Sequence, residues 1–251
     1  SQADHVPMVR RFQSDKLLGP EGIDLTDPGA GRHTLVLDLL TVGSGTQLLD
    51  GVGGAVALAN APSVDGIVTA SATGTGGGVI RVSGAETVAT SNPTVSLTIG
   101  TDAEITAPNI VVSSLAGAIA SASSVSKGGG AVSIGSAAAK VNIMAISDLD
   151  ILAGAVLKGE TISILSTTQE TATIVAESAG GGIVDIAGGN ATANIDYVAT
   201  TTIAGSILAE DGAGSISVGS TSMVDVDAEA TGDAAGLGAG ATSAAKVNLG
   251  E

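Results

Sequence analysis

The chain has 251 residues and a formal net charge of −16, with 37 Gly, one Tyr, one Phe and neither Trp nor Cys. Nucleic acids and anionic membranes are disfavoured as partners because both require a cationic protein surface, and the lack of cysteine excludes a disulfide framework. Hydrophobic residues make up 44% of the chain but aromatic residues only 1%, which predicts a narrow interior filled by Ala, Val, Ile and Leu.

Residues 1–32 differ from everything that follows. They contain the only Phe, three of the six prolines and four of the nine basic residues, and no strand-like alternation begins before Leu35. We interpret this lead as a linker, a cap or a segment that pairs with a neighbouring subunit. It is followed by one repeat array over 33–251.

The array is marked by glycine triplets that begin at Gly76, Gly128 and Gly180, each 52 residues after the last. A degenerate fourth instance begins at Gly236. The residues after each triplet also match, reading VIRVSGA, AVSIGSA and IVDIAGG. A fixed period of this kind is the signature of a repeat architecture.

Aliphatic residues recur in the same register. The matched sets are Ile80/Val132/Val184, Val82/Ile134/Ile186, Ile99/Ile151/Ile203, Ile110/Ile162/Ile216 and Val112/Ile164/Val218. Alternation with period two around them predicts strands that bury one face. Within one repeat, similar strand cores recur at a step of about 17 to 20 residues, too short for a strand plus a crossover helix.

These patterns predict an all-β fold, a parallel β-helix (β-solenoid) with about three rungs in each 52-residue repeat. The array would then contain about eleven or twelve rungs and extend about 55 Å, at a rung spacing of about 4.8 Å. Columns such as Ile80/Val132/Val184 are expected to point inward, and glycines to supply positive φ at corners.

The histidines and the lack of cysteine limit which catalytic devices the chain could contain. A Ser/His/Asp triad requires a histidine beside the nucleophile. The only histidines, His5 and His33, lie in the lead and at the first residue of the array, before the repeated strand patterns. Zinc sites require Cys or clustered His. No catalytic residue is therefore predicted, and the chain is not expected to be an enzyme.

Aspartates are the remaining candidates for chemistry. Asp148 and Asp150, like Asp225 and Asp227, are two residues apart and would share one face of a strand. Such a pair motivates the alternative function, a carbohydrate-active β-helix enzyme. The same four residues and Asp211 are also weak candidates for loose Ca²⁺ binding; no other cofactor is expected.

The glycine triplets followed by VIRVSG, AVSIGS and IVDIAG, in rungs without Cys or Trp, resemble large repetitive bacterial surface adhesins of the filamentous-haemagglutinin and leukotoxin-like type. The resemblance covers roughly 33–250 and is architectural. It implies a right-handed parallel β-helix, secretion to the bacterial cell surface, and adhesion or matrix formation.

The leading hypothesis is therefore an extracellular structural or adhesive protein, either a rigid stalk or a subunit of a self-assembling fibre. The expected partners are further copies of the chain, stacked end to end, and a host or matrix surface ligand. Nucleic acid binding is not expected. Neither is membrane insertion, since no run approaches the ~18 apolar residues of a membrane-spanning helix.

Overall fold

The structure is a computed structural model that describes residues 33–36, 39–42, 47–49, 55–60, 67–209 and 214–250. Side-chain burial is described for 67–209 and 214–250. Across these ranges the chain is almost entirely β-strand and contains no helix, which confirms the all-β class. The lead over 1–32 and Asp211 lie outside the described residues.

The described strands fall into five successive layers. Layer one consists of β1 (His33–Val36), β2 (Leu39–Val42) and β3 (Gln47–Leu49). Layer two consists of β4 (Ala55–Asn60), β5 (Ile67–Ser91), β6 (Thr94–Ile99) and β7 (Glu104–Thr106). Layer three consists of β8 (Asn109–Ile151) and β9 (Val156–Gly159). Layer four consists of β10 (Thr161–Gly181), β11 (Val184–Ile203) and β12 (Ser206–Ala209), and layer five of β13 (Ser215–Ala235) and β14 (Gly238–Gly250).

All the described strand pairs are parallel, and each links one layer to the next. Ile110 pairs with Ile162, which pairs in turn with Ile216, so hydrogen-bonded neighbours are about one full repeat apart. The matched sets predicted from the sequence, such as Ile99/Ile151/Ile203, are confirmed as paired columns.

The prediction of three rungs per repeat is wrong, because each repeat contributes one layer. Within the described residues, breaks between strands do not begin a new layer, since paired strands lie about one repeat apart, and β8 alone continues for 43 residues. Buried alanines between the aliphatic segments weaken the hydrophobic alternation there without interrupting the strand. Five layers at a spacing of about 4.8 Å span roughly 20 Å, instead of the expected 55 Å.

Each long layer is a flattened loop. Residues 109–127 of β8 pair with β10, whereas 132–151 pair with β11, so the strand runs out to the Gly128 triplet and returns. We call these segments the outgoing arm, the tip and the return arm. The two arms face each other across the interior, where the Ser114 and Ser147 hydroxyls are 2.7 Å apart.

The interior has two parts. Between the arms, an alanine-rich cluster packs tightly, with Ala118 and Ala139 both 2% exposed. At the base, where the second sheet (β12-β9-β7-β3) joins the first, larger side chains form the second cluster. Its largest fully buried members are Leu97, Ile99, Ile105, Ile110, Leu149, Ile151, Leu157 and Ile162.

Steric crowding explains why the tip needs glycine at some positions of the triplet. Gly128 adopts a φ of +157° and Gly78 one of +142°, which confirms positive φ at these two tip positions. A Cβ on Gly128 would overlap the carbonyl oxygen of Gly76 and the guanidinium of Arg81. The tip therefore requires glycine where the buried Arg81 side chain crosses it.

The prediction that Ile80, Val132 and Val184 point inward is wrong. Ile80 is 74% exposed and Val184 41%. Because successive strand residues alternate between faces, the interior column is the next one along, Arg81, Ser133 and Asp185, in which no residue is more than 3% exposed.

Candidate interaction surfaces

The predicted aspartate pairs lie on opposite arms. Asp148 and Asp150 are partly exposed on the return arm of layer three, where their paired neighbours are Ser and Thr. Asp225 and Asp227 are exposed on the outgoing arm of layer five. The structure does not bring the two pairs together, and no group of three His, Asp or Glu residues within the described ranges could hold a metal ion.

The exposed side of the return arm next to the tip is aliphatic. We call this the aliphatic face, and its members are Ile80, Val82, Val132, Ile134, Val184 and Ile186. Val82 is 76% exposed and Ile186 51%. At the tip itself Val79, Ile183 and Leu237 continue it, with Leu237 95% exposed.

An exposed apolar patch that recurs in three layers is unusual on so acidic a protein. Contiguous patches of this kind mark interaction sites more often than scattered apolar residues do. In layer five the corresponding positions are Gly238 and Gly240, which leave the face flat. Sequence reasoning found these columns but assigned them to the interior, so the surface was missed.

A ladder of asparagines crosses the same arm. Asn194 donates from Nδ2 to Oδ1 of Asn142 at 2.8 Å, and Asn248 donates to Oδ1 of Asn194 at 2.7 Å. The amide groups repeat at the layer spacing and so favour in-register stacking. The 52-residue period carried the signal for this ladder, although only aliphatic positions were compared.

The interior at the tip is polar. Arg81 donates from Nη1 to the Ser133 hydroxyl at 3.1 Å, and also bonds Ser83 through Nη2. Asp185 Oδ2 accepts from the backbone N–H of Ala235 at 3.1 Å. Arg81 Nε, Asp185 Oδ1 and the Ser178 hydroxyl have no hydrogen-bond partner. Opposite charges thus occupy one interior column with a serine between them.

A second buried acid lies deeper between the arms. Glu170 is fully buried, in a column between Ala118 and Val224, and neither carboxylate oxygen has a hydrogen-bond partner of normal geometry. Burial raises the pKa of Glu170 above its ordinary value, an effect that the nearby Thr168 hydroxyl and the backbone oppose. Sequence reasoning gave no signal for this residue.

Within the described residues, the sheet ends in two unpaired edges. β5 pairs only with β8, while β13 pairs only with β10 and β14 only with β11. Core columns are uncovered at the layer-five edge: Ile216 is 46% exposed, although its neighbour Ile162 is 1% exposed. Such an edge is a template for another parallel strand.

No family model, curated protein or solved structure matches the chain. The described residues also contain no helix long and apolar enough to cross a membrane. The aliphatic face, the unpaired edges and the columns that connect them are the features of the described residues that a partner could recognise.

Proposed function

We propose that the chain is a β-solenoid module of an extracellular structural or adhesive protein, a stalk or fibre of the bacterial cell surface. The observation that carries this proposal is the column Ile110/Ile162/Ile216, which runs through successive layers and reaches an uncovered edge. A protein built by adding identical layers grows in one direction without changing its cross-section.

The dimensions of the described residues support a role in which many layers are stacked into a longer structure. An arm of about 19 residues is about 60 Å long, whereas five layers rise only about 20 Å. The described part of one chain is therefore a flat plate, and a stalk or fibre requires many layers in succession. The surface location rests on the adhesin resemblance and the acidic composition.

Electron microscopy and fibre diffraction of the purified chain test the structural role. We expect ribbons about 60 Å wide with a reflection near 4.8 Å along their axis. Plates that stay separate at millimolar concentration would contradict the fibre form of the proposal. A longer chain of this repeat that failed to form a rod would contradict the stalk form as well.

The aliphatic face supports the adhesive role. Replacing Val82, Ile134 and Ile186 by serine should reduce retention of the protein on an alkyl-coated surface. The matched control replaces Val111 and Leu165, which are 43% and 39% exposed on the outgoing arm, and should leave retention unchanged. Equal losses in the two variants would indicate general apolar stickiness and contradict adhesion through this face.

A further inference from the structure

We infer that a second copy stacks head to tail, with its β5 edge pairing in parallel with the β13–β14 edge of the first copy, one layer further along. This inference rests on the fibre form of the proposed function and specifies its joint. Both edges belong to the same columns: Ile67 pairs with Ile119, Ile119 with Thr171, and Thr171 with Asp225. Continuing the stack puts Ile67 of the second copy beside Asp225, and its Ser91 beside Leu249.

The interior columns match across this joint. Val226, Ala228 and Ala230 line the inner face of β13 and are only partly buried. In the second copy, the same columns present Val68, Ala70 and Ala72, which are also partly buried at the β5 edge. Small aliphatic side chains would therefore meet small aliphatic side chains, as they do between the inner layers.

Charges on the outer face select the polarity of stacking. The outer face of β13 carries an exposed row of four carboxylates: Asp225, Asp227, Glu229 and Asp233. In head-to-tail register, this row meets the uncharged outer row of β5: Ile67, Thr69, Ser71 and Thr75. Pairing two β13 edges would place the carboxylates against one another, so like-charge repulsion opposes head-to-head contact.

The buried charges continue the same order. Within one copy, Arg81 is two layers below Asp185, and Ala239 follows Asp185 in the column. Arg81 of the stacked copy would lie beyond Ala239, again two layers from Asp185. Each buried charge would then have an opposite charge at the same spacing, about 10 Å, within and between copies.

Layer one imposes one local constraint. In the joint, layer one of the second copy would lie level with layer five of the first. Its β2 and β3 would pair beside residues 200–203 and 206–208 of the first copy, where the described residues leave the edge unpaired. Its β1, however, would need the place that residues 216–219 of the first copy already occupy. One of these strands must leave its partner for the joint to close. Deleting residues 1–38 removes the competing strand and should promote stacking.

The charge argument is tested by Thr69→Asp with Ser71→Asp, which sets new carboxylates against Asp227 and Glu229 of the first copy. We expect the critical concentration for assembly to rise roughly tenfold or more. Thr69→Lys with Ser71→Lys should lower it. The matched control, Ser121→Asp with Ser123→Asp, puts the same charge in the same columns of layer three and should leave assembly unchanged.

Register is tested by cross-linking, because the chain has no cysteine. Thr73 and Thr231 share one outer column, so a Thr73→Cys chain mixed with a Thr231→Cys chain should form a disulfide-linked heterodimer. Thr69→Cys with Thr231→Cys, four residues out of register, should yield little. Fibres that form without this selectivity overturn the inferred joint and leave the fibre proposal standing. If neither the full chain nor the 1–38 deletion assembles, both the joint and the fibre proposal are wrong. Both would also be wrong if residues 1–32 were found to cover the β5 edge in the full chain.

Discussion

Arg81 and Asp185 lie in the same interior column of the tip, with Ser133 between them. Arg81 is 3% exposed and Asp185 is fully buried. Buried charges are costly unless they are compensated, and here the compensation comes from hydroxyls, a backbone N–H and the opposite charge two layers away. A shift by one layer would separate the two charges from their partners. The column therefore favours the observed order of the layers.

Replacing Asp185 should show how far the stability contributed by Arg81 depends on it. Asp185→Ala loses the hydrogen bond from the Ala235 N–H and should destabilise the fold by about 1–3 kcal/mol. A double-mutant cycle with Arg81→Met should show a coupling of at least about 0.5 kcal/mol, because two buried charges about 10 Å apart still attract each other. Unfolding can be followed by circular dichroism in urea, with Asp227→Ala as an exposed control; strict additivity would contradict the coupling.

The glycines of the tip should differ sharply in their tolerance of substitution. Gly128→Ala forces a Cβ into the Gly76 carbonyl and the Arg81 guanidinium at a positive φ, and should cost about 1–3 kcal/mol or more. Gly181→Ala meets nothing within 4 Å and should change the free energy of unfolding by less than about 1 kcal/mol. Similar losses at both sites would show that the triplet is needed only for chain flexibility.

The sequence predicted the strand class, the parallel registration and the identity of the paired columns, because side chains one repeat apart must tolerate the same neighbours. It did not predict how many strands make one layer. Alanines such as Ala118 and Ala139 are small enough to fit the narrow space between the two arms. Alanine is only weakly hydrophobic, however, so the sequence does not show which face of the strand is buried. The sequence therefore predicts three rungs in a repeat that forms one layer.

The error over faces has the same origin. In a strand, one residue of offset exchanges the two faces, and at the tip the usual rule is reversed. Val132 and Ile134 point outward while Ser133 is fully buried. The interior is polar there because the Arg81 guanidinium bonds the hydroxyls of Ser133 and Ser83 and Asp185 accepts from the backbone N–H of Ala235. A single sequence cannot indicate these contacts. The aliphatic face was invisible for that reason.

The orientation of the return arm can be checked by truncating one aliphatic residue on each face. Ile151 is fully buried in the base, so Ile151→Ala should lower the free energy of unfolding by about 2–5 kcal/mol. Ile134 is 40% exposed, and Ile134→Ala should cost less than about 1 kcal/mol. Urea unfolding of both variants decides the matter. A larger loss at Ile134 would restore the inward assignment of that column.

Glu170 should make the fold less stable as the pH rises above about 4.5. Its pKa in the folded state is raised above the ordinary value of 4.5 because of burial. The folded state therefore holds the proton more tightly than the unfolded state does. The resulting stability is fully present below about pH 4.5 and is lost as the pH rises through the folded-state pKa.

Glu170→Gln removes this dependence, since the amide stays neutral at every pH. We expect the variant to be more stable than the native chain at pH 8, and the advantage to shrink as the pH falls toward 4.5. Thermal unfolding between pH 4 and pH 8 measures the difference. Glu229→Gln, exposed on the outer face of β13, is the control for the loss of one negative charge from an acidic chain. If both variants gain equally with pH, the effect is general charge repulsion and the buried carboxyl of Glu170 has no part in it.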